Sequence, residues 1–154
     1  MKRVLFAAIA IVAGYWITQH RPFSEHADRA PATTPANSAS SSSASDEVLA
    51  EAYAYQRRDV QVQGEGTVIR ILKDDTRGSR HQRFLLRTTS GQTLLVAHNI
   101  DLAPRIATLR EGDRVAFNGE YEWNDKGGVI HWTHHDPQGR HVDGWLEHEG
   151  RRYQ

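Results

Sequence analysis

From Val60 onward, apolar residues recur at alternate positions in short runs separated by Gly, Asn, Asp and Pro, the pattern of half-buried strands joined by turns. Val60 to Lys73 predicts a long first strand. Its apolar positions are even at Val60 and Val62 but odd at Ile69 and Ile71, so a bulge or bend is expected, with Gly64 and Gly66 where the phase changes. His81 to Thr89 predicts a second strand with Phe84 and Leu86 on one side and Arg83 and Arg87 on the other, and Ser90-Gly91 a tight turn into a third, Gln92 to His98. Asn99 to Leu109 predicts a turn and a short helix capped by Asp101. Arg114 to Trp123 predicts a fourth strand with Val115, Phe117, Tyr121 and Trp123 on one face, and Asn-Asp-Lys-Gly-Gly turns it into a fifth, Val129 to His134. A further short hairpin is expected around Glu149-Gly150. This order predicts a mainly β fold, a small five-stranded OB-like Greek-key barrel over residues 59–154.

Upstream the pattern changes. Met1-Lys2-Arg3 precedes an uninterrupted apolar run, Val4 to Ile17, the arrangement of an export signal or signal anchor over residues 1–18. As a helix the run measures about 21 Å, less than the ~30 Å hydrocarbon core. Tyr15-Trp16 suit a membrane interface, and no pair of small residues marks a cleavage site, so an anchor is expected in preference to a cleaved signal. Residues 19–45, rich in Ser, Ala and Pro, predict a disordered linker. Asp46 to Arg58 predicts a short helix with Ser45 as N-cap and Val48, Leu49, Ala52 and Tyr53 on the face that packs against the domain edge.

Composition narrows the function. The 154 residues carry 19 basic and 19 acidic side chains, so no overall field draws the protein to nucleic acid, and no general nucleic-acid binding is expected. There is no cysteine, which excludes disulfides, thiolate zinc sites and a cysteine nucleophile; any metal must be held by histidine and carboxylate.

The chemistry gathers at one rim. In a barrel of this order the third and fifth strands run parallel, so His98 and His134-His135 end at the same side, and the Ser90-Gly91 turn places Arg83 opposite His98. Arg83, His98, Asp101, His134, His135 and Asp136 are therefore candidate ligand-binding residues, with His81 at the same rim, and Glu120 is a further ligand-binding candidate. Trp132 is offered for stacking, whereas Tyr121 and Trp123 follow the core phase and His131 is assigned to the buried Tyr121 face. Three roles fit these residues. A divalent metal such as zinc would take His98, His134 and His135, although no cofactor is required. General acid–base work would pair His134 or His98 with Asp136, Asp101 or Glu120 while Arg83 stabilises an anion, as in phosphodiester hydrolysis. A binding face would use the arginines with Trp132.

The blocks GQTLLVAHNIDLAPRI, GDRVAFNGEYEWN and GGVIHWTHHDPQGRH resemble a family of small exported bacterial proteins catalogued as a domain of unknown function. The resemblance spans roughly Val60 to Gln154 and implies a secreted or membrane-tethered proteobacterial protein; it supplies no activity, cofactor or catalytic residue. The expectation is a non-enzymatic binding module for an anionic oligomeric ligand or a cell-envelope partner, in the bacterial periplasm, held to the inner membrane through residues 4–17 or secreted after cleavage. The alternative is a metal-assisted, phosphodiesterase-like hydrolase.

Overall fold

The computed structural model describes residues 37–154. The expected membrane segment and the linker up to residue 36 lie outside the described residues. No helix among the described residues is long and apolar enough to cross a membrane.

The strands are β1 (Val60–Ile71), β2 (His81–Arg87), β3 (Thr93–Asn99), β4 (Arg114–Glu122), β5 (Val129–His131), β6 (Trp145–His148) and β7 (Arg151–Tyr153). β1 pairs antiparallel with both β2 and β4, β2 with β3, and β4 with β5, while β3 and β5 run parallel. The first five strands thus close in the order β1-β2-β3-β5-β4, the expected OB-like barrel. Alternation explains the filling: Phe84, Leu86, Leu94, Val96, Phe117, Tyr121 and Ile130 point inward and are completely buried. Closure depends on β1 serving two neighbours, with Thr67 opposite Arg114 of β4 and Arg87 of β2.

The bulge in β1 lies between Val68 and Arg70, not at the glycines. Gly64 and Gly66 instead permit close approach. A Cβ at Gly64 would sit 2.9 Å from the Phe117 ring, and one at Gly66 2.5 Å from the Arg87 carbonyl oxygen.

The helix, α1, runs Asn37–Ala54, beginning earlier and ending earlier than expected. Ser45 is inside it, so the Ser/Ala run is helical rather than part of the linker. Alanine favours helix, and Leu49 and Ala52 anchor the helix in the barrel's core. Val48, assigned to that face, is instead 45 % exposed, and Asp46 takes its place, accepting the Ser90 N–H at 2.6 Å. The helix ends in a Schellman motif: Arg57 N–H donates to Ala52 O (2.8 Å) and Gln56 N–H to Tyr53 O (3.1 Å), with Gln56 at φ 51°. That conformation favours glycine. Gln56→Gly is expected to stabilise the domain by about 0.5 to 1 kcal/mol, read from the urea midpoint at unchanged slope.

The β2–β3 register differs by one residue from expectation, and this relocates His98. Thr88 N–H donates to Gln92 O, so the connection is the loop 89–91, with Gly91 at φ 93°, rather than a Ser90-Gly91 turn. Gln82, not Arg83, therefore opposes His98, and a shift of one residue turns each side chain to the other face. Both Gln82 and His98 point inward and pin the β3–β4 connection across the barrel end. Gln82 Nε2 donates to Ile106 O (3.0 Å), Ile106 N–H donates to Gln82 Oε1 (2.9 Å), and His98 Nε2 lies 3.2 Å from Pro104 O. This connection contains no helix, and Asp101 accepts from the backbone and guanidinium of Arg80 instead of capping one.

β5 stops at His131, three residues short of the expected end, because Trp132 adopts φ 49° and turns the chain away. After an excursion of residues 132–144, β6 returns to β4, pairing Phe117 with Leu146, and β7 completes the expected hairpin through Glu149 and Gly150, both at positive φ. One edge of β4 is thus shared, β5 occupying residues 120–122 and β6 residues 115–118.

Candidate functional site

Outward-facing residues of β2, β3 and β5 and the 132–144 excursion form the walls of two adjoining cavities. The first, about 330 Å³, is lined by Ser79, His81, Ala97, Asn99, Leu102, His131, Trp132, His134 and Arg140. The second, about 370 Å³, shares His81, Ala97 and His131 and adds Asp75, Arg83, Leu95, Glu122 and Val129. Together they make a groove across the outer face of the sheet.

The excursion is a loop folded on its own carboxylate. Asp136, buried, accepts the backbone N–H groups of Gln138 (3.0 Å), Arg140 and His141 (3.1 Å). Burial pushes its carboxyl up, but these donors together outweigh burial and hold it below the usual range. Asp143 closes the neck, its Oδ1 accepting Asp136 N–H at 2.8 Å, while Asn118 of β4 donates to the Asp143 carbonyl at 2.9 Å.

Trp132 heads the groove. A bulky side chain at positive φ is strained by about 1 to 3 kcal/mol, and such residues cluster at functional sites. Its ring lies between imidazoles, with centroids 4.3 Å from His141, 5.3 Å from His131 and 5.8 Å from His134. His134 Nδ1 donates to the His135 carbonyl at 2.8 Å, which fixes the neutral ring with Nε2 as a lone pair. Burial lowers the pKa of His134, and burial followed by the proximity of His141 lowers that of His131.

On the neighbouring strand Glu120 lies directly opposite His131, with Oε1 3.4 Å from Nε2. Burial first, then Asp59 and Glu122, pushes the Glu120 carboxyl up, partly offset by the Trp132 indole. One ligand atom from each of Glu120, Glu122 and His131 lies within 4.8 Å of the others.

Of the residues singled out in the sequence, Trp132 and His134 meet in the first cavity, Glu120 stands beside His131, and Arg83 lines the second cavity, its guanidinium donating to Lys73 O. The others do not join them. His98 is inside the barrel, with Nδ1 2.8 Å from Thr133 Oγ1 and Nε2 facing Pro104 O, so both nitrogens are engaged. His135 is exposed and paired with Asp143 (2.8 Å), Asp136 organises the loop, and Asp101 is held by Arg80. The set His98, His134 and His135 is therefore not assembled for a metal. His131, assigned to the buried face, points outward because Ile130 is the residue opposite Tyr121. The alternation of Ile130 with His131 carried that signal; Arg140 and His141, placed by an irregular loop, had none.

The comparison with curated proteins returned no match. The sequence profile of a family described as "Protein of unknown function (DUF3465)" matches residues 33–154, which takes in α1 as well as the barrel. The chain belongs to this family.

Proposed function

We propose that this domain is a non-enzymatic binding module that takes an anionic oligomeric ligand into the groove beside Trp132, on the periplasmic side of the bacterial inner membrane. One observation carries the reading: the first cavity is lined by His81, His131, His134, Arg140 and Trp132 and by no carboxylate. Guanidinium and protonated imidazole N–H groups suit phosphate or carboxylate oxygens, and the indole offers a flat face to a base or sugar. The location rests on the basic start and apolar run of residues 1–18.

The test is a tryptophan-fluorescence titration of the full-length, tag-free chain with short inorganic polyphosphate in the presence of chelator. Saturable binding is expected, weakened at least about tenfold by Arg140→Ala or Trp132→Leu and unchanged by Arg152→Ala, a residue of β7 that lines neither cavity. Affinity should rise as pH falls from 8 to 6, because an anion favours the protonated forms of His131 and His134, which burial disfavours in the free protein. Binding equally strong in all variants, or none at millimolar polyphosphate, would sink the proposal. Glu120, with its raised carboxyl beside His131, favours the second reading, hydrolysis. That reading predicts turnover of bis(4-nitrophenyl) phosphate that is lost in Glu120→Gln.

A further inference from the structure

The second cavity differs in chemistry from the first. Glu120 and Glu122 occupy alternate positions of β4 and point to the same side, and His131 reaches them from β5. The Nε2 atom of His131 is buried and has no hydrogen-bond partner, although Glu120 Oε1 is 3.4 Å away. Asp59 adds a third carboxylate whose charge acts on both Glu120 and His131. Against this stand the Asp59 N–H, which donates to Glu122 Oε1 at 3.3 Å, and Arg58, 66 % exposed and 3.6 Å from Glu122 Oε2. Three crowded carboxylates with one solvated guanidinium leave negative charge uncompensated, and an unpaired imidazole nitrogen in their midst is costly.

We propose that Glu120, Glu122 and His131 bind one divalent cation, Zn²⁺ foremost. Oxygen and imidazole donors suit a borderline ion, and the chain has no thiolate to compete for it. The ligands stand on paired strands rather than on a loop, which holds their separations. His131 and Glu122 also line the second cavity, which supplies the entry path. Three protein ligands leave at least one position of a tetrahedral ion open to water or to an anionic group in the groove. The proposal stands apart from the polyphosphate reading, because it requires only the ion.

The test uses the full-length, tag-free chain stripped with chelator and titrated with zinc chloride by calorimetry, alongside equilibrium dialysis. One equivalent per chain is expected. Glu120→Gln and His131→Asn should each weaken binding at least about tenfold, Glu122→Gln also, and His135→Ala not at all. Zinc should raise the melting temperature of the wild type and not that of folded Glu120→Gln. If one variant fails to fold, the remaining two decide. Absence of stoichiometric zinc at millimolar concentration, or binding undiminished in the folded variants, would overturn the assignment. Since the polyphosphate titration is run in chelator, failure of either proposal leaves the other readable.

Discussion

Gly144→Ala will cost the domain about 3 kcal/mol and lower its melting temperature by roughly 10 °C. A Cβ at Gly144 would lie 1.9 Å from the Trp132 carbonyl oxygen, 2.7 Å from that of Asn118 and 2.9 Å from the Thr133 Cα, all backbone atoms. None can move by rotating a side chain. Gly144 also forms the neck of the excursion, its N–H donating to His134 O at 3.0 Å, so the added methyl forces Trp132 and His134 away from the groove. Calorimetry and tryptophan fluorescence should therefore change together. Gly139, at the loop tip with nothing within 4 Å of an added Cβ and φ 63°, is the control: Gly139→Asn, a residue that tolerates this conformation, should melt close to wild type. A Gly144→Ala protein that also melts within a degree or two of wild type would refute the reading of the neck.

The second large effect follows from His98. Burial first, opposed by the Pro104 carbonyl and reinforced by His134 and His81, lowers its pKa from 6.5 to about 4. The unfolded chain thus binds a proton between those values and the folded chain does not, so stability is fully present above pH 6.5 and is lost as pH falls toward 4. The loss from this residue amounts to about 3 kcal/mol. Burial also lowers His131 and His134, which act in the same direction. Denaturant titrations at pH 7, 6, 5 and 4.5 should show a steep decline, and His98→Gln should flatten it, even where its stability at pH 7 is lower. An unchanged slope in His98→Gln would assign the decline to other groups.

His98 also illustrates how far the chain could be read before its structure was known. Strand order, inward residues such as Phe84, Phe117 and Tyr121, and barrel closure follow from alternation and turn residues, which are local signals. Register is set by loop length, and Ser90-Gly91 looks the same in the sequence whether it is a two-residue turn or part of a three-residue loop. That single residue decided whether His98 met a ligand or the Pro104 carbonyl. Of the rim expected from the sequence, His134 lines the first cavity, together with Trp132, which was offered for stacking, whereas His135 and Asp136 follow a loop whose path is dictated by buried hydrogen bonds. Irregular backbone held by side-chain carboxylates has no period to detect. The helix boundary moved for a related reason, since docking of Leu49 and Ala52 overrides the loop-like composition of the serine run.

β7 carries a last consequence. Barrel closure pairs β1 with β4, so among the described strands the sheet order ends on β7, a piece of three residues that presents Arg151 and Arg152 to solvent, with the Arg152 guanidinium 4.2 Å above the Trp145 ring. A rail so short and so flanked by charged side chains is a poor template for another chain, which defends the fold against edge-to-edge aggregation. Arg151→Val with Arg152→Thr would leave the fold in place and remove that defence, turning a concentrated solution turbid where the wild type stays clear.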